Sequence, residues 1–316
     1  MRFFAKNKKY AGWMAISLER DCARVAHVTR PANGKPVLEM LTSFPNAASL
    51  TETLKLLKKQ LNAQNYRYSL MLSQGEFQLF SIESPNVPPD ELKNAMRWRL
   101  KDMLDYHIDD ATIDVLDIPA DKAIQGRAHS MYAVAARNQI ISERQAAFEN
   151  AGIPLDVIDI TDLAQRNVSV LLEPEGRGLA LLSFDGNGGL LTVSYAGELY
   201  LSRRIDINLT QLQTKDTDSK NAVYERIALE LQRSLDNFDR QHTFITTAKL
   251  VLAPLGDEIS KDLQAYLAAN IYMGVEVLNF ADVLDISKTP VLAHQDSQQA
   301  FFMTIGAALR HEETVL

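Results

Sequence analysis

The sequence predicts an α/β fold made of two halves that share one order of elements. An echo is the first sign. Ala15-Ile16-Ser17-Leu18-Glu19-Arg20-Asp21 and Leu181-Leu182-Ser183-Phe184-Asp185-Gly186-Asn187 each read as an apolar strand, Ser, one apolar residue, an acid and a polar turn. The second sign is that each echo opens three strands followed by a helix and a further strand. Length agrees, because 316 residues are enough for two sizeable cores.

Taken in order, strands are expected at 14–18, 23–28 and 37–44, with turn residues such as Pro31-Ala32-Asn33-Gly34 between them. Ser49-Leu50-Thr51-Glu52 has capping-box spacing, and Leu50, Leu54, Leu57 and Leu61 share one helical face. Strands follow at 69–72 and 77–82. Pro85, Pro88 and Pro89 then punctuate the chain, and Asp90-Glu91 open a helix where its dipole favours negative charge. Leu92, Met96, Leu100 and Met103 carry that helix through Leu104. Strands at 111–116 and 130–136 precede a helix at 140–150, which Gly152 ends in a left-handed cap. A strand at 155–160 and a helix at 161–172 lead to the second half. There, strands at 178–184, 190–195 and 199–205 precede an amphipathic helix at 222–238 carrying Ile227, Leu231 and Leu235. A strand at 249–253, a helix at 259–267, a strand at 275–278 and a closing helix at 299–309 complete it. Two hairpin-plus-α/β halves with an insertion in the first describe an actin-like body. Its expected divisions are a first lobe at 1–83, completed by about 153–177, an inserted subdomain at 84–152, and a second lobe at 178–316.

Composition narrows the function. A net charge of −7 argues against nucleic acid, which needs a basic face. The single Cys22 leaves no internal disulfide or cysteine-rich metal site and points to a reducing compartment. No stretch reaches the roughly 18 apolar residues of a spanning helix. Residues 1–9 lack the apolar core of a signal peptide and read as a frayed basic terminus. The expectation is a soluble cytoplasmic protein.

Four stretches resemble one family. They are Pro88-Pro89-Asp90-Glu91-Leu92 to Ala95-Met96-Arg97-Trp98 with Ile108-Asp109 and Asp114; Val134-Ala135-Ala136-Arg137 with Ala151-Gly152-Ile153; Glu230-Leu231-Gln232-Arg233-Ser234-Leu235-Asp236; and Ala300-Phe301 to Ile305-Gly306-Ala307-Ala308-Leu309-Arg310. In order and spacing the chain resembles the PilM-like, FtsA-related proteins of type IV pilus assembly, and most of all their branch in mannose-sensitive haemagglutinin (MSHA) pilus systems. The resemblance implies an actin-like (RNase H-like duplicated) fold with an FtsA/PilM-type inserted subdomain in the first half. It also implies a cytoplasmic place at the inner face of the bacterial inner membrane. The implied partner is a PilN-like (MshJ-like) inner-membrane protein, whose N-terminal peptide sits in a groove between first lobe and insertion. Other pilus platform proteins, and membrane association through partners, follow from the same resemblance.

The family's phosphate-facing hairpins carry Asp, an apolar residue, then Gly, the Asp organising magnesium and the Gly letting amides approach phosphate. Here the corresponding positions are Ser17 and Glu19, and Ser183 and Asp185. The metal-organising acid has become Ser twice, and the glycine has become an acid twice. A carboxylate about 4 Å from a phosphate oxygen costs roughly 4 kcal/mol at an effective dielectric near 20. Two such contacts offset about 8 kcal/mol, the whole affinity of a micromolar ligand. The family's adenosine-contacting Gly-Gly turn is replaced by Leu252-Ala253-Pro254-Leu255, and Pro254 has no amide hydrogen. The segment between 205 and 222, where a nucleotide-covering subdomain begins in the family, is short and polar. The reading is lost nucleotide binding, with no cofactor, no metal and no catalytic residue. An ATP-binding switch or weak ATPase that uses ATP and magnesium is the alternative.

No other chemistry stands out. His27, His107, His129, His242, His294 and His311 have no metal-ligand spacing, and there is no Gly-x-Ser-x-Gly elbow or Walker loop. Asp102, Asp105, Asp109 and Asp110 read as a solvated helix end. Arg97, Trp98 and Arg99 are the candidate partner-binding residues, since Trp beside Arg is enriched in interfaces. Packing of Trp98 against the neighbouring lobe is the competing reading. The function expected is a non-enzymatic assembly scaffold.

Overall fold

The computed structural model describes residues 10–61, 65–85, 87–88, 91–119 and 130–311. Residues 1–9, Pro89, Asp90 and His129, singled out above, lie outside them.

The first sheet contains β1 (Trp13–Leu18), β2 (Cys22–Thr29), β3 (Val37–Pro45), β4 (Tyr68–Leu72) and β8 (Val157–Ile160), in the order β3-β2-β1-β4-β8. The second contains β9 (Gly178–Phe184), β10 (Gly189–Tyr195), β11 (Glu198–Ile205), β12 (Thr247–Leu252) and β13 (Gly274–Val277), in the order β11-β10-β9-β12-β13. Both are one pattern: an antiparallel meander whose first strand pairs in parallel with the fourth. The central strands β1 and β9 are apolar and buried nearly throughout, as strands covered on both faces must be.

Side-chain alternation splits each sheet between two cores. In β1, Met14 and Ile16 face α1 (Leu50–Leu61) and α3 (Asn138–Ala151), with Leu54, Leu57 and Phe148 in the same core. Ala15 faces the other way, into a core between the lobes. In β9, Ala180, Leu182 and Phe184 share a core with Ile227 and Leu231 of α6 (Thr217–Gln241) and Leu263 of α7 (Asp257–Asn270). Leu179 and Leu181 turn inward to the interlobe core.

That core is built by two crossing helices, α4 (Thr161–Ser169) and α9 (Gln295–Ala308), with Ala164, Val168, Phe302 and Ile305 between the sheets. The crossing is close: a Cβ on Gly306 would stand 2.3 Å from the Ala164 carbonyl oxygen. Each helix serves the opposite lobe. α9, expected within the second lobe, packs on β1 and β2, while α4, expected to complete the first lobe, packs on β9 and β10. The lobe divisions at 153–177 and 178–316 therefore cut across the packing.

The insertion also differs from its expected bounds of 84–152. β5 (Phe77–Glu83), expected in the first lobe, pairs antiparallel with β7 (Ser130–Arg137), which pairs with β6 (Ala111–Asp117). α3, expected in the insertion, buries Ala147, Phe148 and Ala151 in the first-lobe core. Sheet pairing thus carries the insertion from β5 to β7, with α2 (Leu92–Leu100) against it. This helix ends at Leu100 rather than Leu104.

Local signals act as their chemistry dictates. Gly152 caps α3 at φ +66°. Half of the capping box forms: Glu52 N donates to Ser49 Oγ at 3.2 Å, while the Glu52 carboxylate pairs with Lys55 instead. Between β11 and α6 stand only the one-turn α5 (Leu209–Leu212), capped by Asn208, and a short link whose Asp216 caps α6.

Candidate functional site

The two hairpin tips meet at one small cleft between the lobes. Glu19, Ser183, Asp185 and Pro254 line it together with Arg24, Asn187 and Gln299, and it encloses about 110 Å³. Small-molecule sites usually run to about 300–1,000 Å³. Pro254 is buried at the end of β12.

At the first tip Glu19 N donates to Cys22 O at 2.8 Å, closing the turn, and the Glu19 carboxylate pairs with Arg24 at 3.0 Å. Arg24 in turn lies 5.8 Å from the centre of the Phe301 ring on α9. At the second tip the Asp185 carboxylate turns back on its own chain. Its Oδ1 accepts from Asn187 N at 2.7 Å and Gly188 N at 3.1 Å. Asp185 also bonds Gly188 O through its own amide, and its carbonyl accepts from Leu209 N at 2.8 Å. Two amides of this hairpin are thereby held by a carboxylate from within the chain.

Below the tips the two serines sit on the interlobe face of their strands, as alternation with Ala15 and with Leu179 and Leu181 requires. Ser17 is buried and shares a 2.6 Å hydrogen bond with Thr304 of α9, so it does not line the cleft. Ser183 is buried too and donates to Gln165 Oε1 of α4 at 2.5 Å. The Gln165 amide nitrogen lies 2.9–3.0 Å from Leu181 O, Leu190 O and Thr192 Oγ1, stitching α4 to β9 and β10. The repeated serine therefore marks a repeated joint between a crossing helix and a central strand.

A second, larger cavity of about 560 Å³ opens where the first lobe, the insertion and β11 converge. Gln74, Phe77, Leu79, Phe80, Asp162 and Arg204 are among its walls. It lies between β5 and β11, which are edge strands of their sheets. Gln74 Oε1 and Gln78 Oε1, both on residues lining this cavity, are buried without a hydrogen-bond partner among the described residues. Arg204 donates to Asp162 at 2.9 Å and to Thr161 at 2.8 Å, and Ser202 Oγ also bonds Asp162. Asp162 is almost fully buried, so Arg204 balances a charge that has left water.

Arg97, Trp98 and Arg99 lie elsewhere, on α2. Arg97 ties its helix to the following turn, donating to Ala111 O at 3.2 Å, Ile108 O at 3.0 Å and Asp109 at 3.0 Å. Arg99 donates to Glu83 O at 2.9 Å. Trp98 is 78% exposed, while Met96 and Leu100 are buried beneath it. Among the described residues nothing covers the Trp98 ring.

Sequence reasoning missed Gln165, Thr304, Asp162 and Arg204. The available signal was polar side chains on a buried helix: Asp162, Gln165 and Asn167 recur along α4 among Ala164 and Val168. Among the described residues no group of three or more His, Cys, Asp or Glu could hold a metal. His27 is a packed histidine whose Nε2 lies 2.9 Å from Ala11 O.

These lobes, with their duplicated sheets and crossing helices, are the actin-like ATPase fold. No protein-family model matches the chain, and no curated protein matches it. Among solved structures it is similar to PilM of a PilM-PilN type IV pilus biogenesis complex, with 18% identity over 95% of this chain and 98% of that one and a TM-score of 0.72. It is also similar to a Bacteroides thetaiotaomicron protein of actin-like ATPase fold and unknown function, with 14% identity over 92% and 98% and a TM-score of 0.50. No helix among the described residues is long and apolar enough to cross a membrane.

Proposed function

We propose that the chain is a non-catalytic cytoplasmic scaffold of a type IV pilus assembly platform, of the MSHA type in which MshI is the PilM counterpart. It holds the N-terminal peptide of a PilN-like (MshJ-like) inner-membrane protein and reaches the membrane and other platform proteins through that partner. The observation that carries this reading is Asp185. Its carboxylate accepts two hairpin amides that a phosphate-binding tip would offer to its ligand. A phosphate entering there must displace a local anion and stand beside it.

The 110 Å³ cleft, the buried Pro254 and the Glu19–Arg24 pair support the same view. Together they suit neither a triphosphate nor its magnesium. The 560 Å³ cavity is of the size and character that takes a peptide segment. Its Phe77, Leu79 and Phe80 offer apolar anchorage.

Calorimetry tests the reading with two ligands, Mg-ATP and a peptide of the PilN-like partner's cytoplasmic N-terminus. Binding of the peptide and no micromolar binding of Mg-ATP is expected. Micromolar ATP without peptide binding overturns the scaffold and favours the ATP-dependent switch.

A further inference from the structure

The insertion is part of the first half of the chain, yet one face of its sheet packs on the second lobe. Tyr132, near the start of β7, is 3% exposed. Its hydroxyl donates to Tyr200 O at 3.2 Å and accepts from Ser202 N at 3.0 Å, two backbone groups on the open edge of β11. Its ring and Ile118 belong to the second-lobe core, and Leu79 of β5 and Leu116 of β6 pack against that core as well. Beside them Arg204 of β11 reaches Thr161 and Asp162 at the start of α4. The insertion therefore joins the lobes a further time, besides the crossing of α4 and α9 and the backbone bonds of Pro36 and Leu38 with Asp285.

Actin-like bodies can close around a ligand by hinging, and a hinge needs one side of the molecule free to part. Here a rotation that widens the cleft at Glu19 and Asp185 must also slide β7 along β11 and break both bonds of Tyr132. We propose that the insertion is a clasp, with Tyr132 as its catch, holding the two lobes at one angle. The clasp does not depend on which partner the protein binds.

The test is pulsed electron spin resonance on the full chain in a Cys22→Ser background, with labels at Gln60 on α1 and Asn237 on α6, both exposed. The expected result is one narrow distance distribution that Mg-ATP does not move. Two populations, or a shift with Mg-ATP, overturn the proposal without bearing on peptide binding. Tyr132→Phe keeps the ring and removes both bonds. It is expected to broaden the distribution and to speed hydrogen exchange at the Ser202 amide about tenfold. A variant indistinguishable from the wild type in both readouts also overturns it.

Discussion

Ser17 and Thr304 are 287 positions apart and share a buried 2.6 Å hydrogen bond. The bond fastens the last long helix to the first strand. Its counterpart, between Ser183 and Gln165, fastens α4 to the second lobe's first strand. Serine at both echoes is thus explained by the joint beneath each tip.

Removing one partner strands the other in a dry site. Ser17→Ala or Thr304→Val alone is expected to cost about 1–3 kcal/mol, whereas the double variant loses less than the sum. A double-mutant cycle in urea reads the coupling, and simple additivity contradicts it.

Gly306→Ala is expected to destabilise strongly. Alanine ordinarily improves a helix interior by about 1 kcal/mol. The new methyl would stand 2.3 Å from a backbone oxygen, though, so the helices must part. Overpacking of this kind costs about 1–3 kcal/mol, and backbone against backbone places it at the upper end. A fall in melting temperature of at least about 4 °C checks it.

His27 makes stability depend on pH. Burial lowers its pKa below 6.5, against the opposing pull of the Ala11 carbonyl and the Glu39 charge and with help from the Lys288 charge. Folding therefore favours the neutral ring, and the unfolded chain binds more protons below 6.5. The His27 contribution is complete above that pH and is lost as pH falls through it toward the folded pKa. Tyr66, whose ring meets His27 edge-on, stays neutral throughout, because burial pushes its hydroxyl up. Between pH 7.5 and 5.5 the melting temperature of the wild type is expected to fall more than that of His27→Gln.

The α2 residues separate in the same assay. Trp98→Ala leaves stability within about 0.5 kcal/mol, as for an exposed side chain. Arg97→Ala costs more, because three oxygens lose a hydrogen bond, Ile108 O alone keeping a backbone donor from Ala111. If Trp98→Ala melts several degrees lower, its ring has a packed role after all.

Much of the fold was legible in the sequence, because buried central strands and amphipathic helices write their period directly. The succession of elements along each half followed from the echo, while the strand order within each sheet did not. Which sheet a helix covers is not written in that period. α4 and α9 each follow their own half in the chain and serve the other in space. The start of the insertion was hidden for a similar reason. β4 and β5 are separated only by the turn around Gly75, and both read as apolar strands, so pairing with β7 could not be inferred locally. At the candidate site, Glu19, Asp185 and Pro254 were legible as neighbours. The burial of Ser17 and the inward turn of the Asp185 carboxylate needed the third dimension.

The exchange of helices also orders the birth of the molecule. β1, β2 and β4 leave the ribosome early, but the apolar face bearing Ala15, Ala26 and Val28 has no cover until α9 arrives. Between Leu72 and Ala308 lie about 240 residues, or about 10–50 s of synthesis. For that interval the nascent first sheet carries a greasy flank that only the end of the chain can cover.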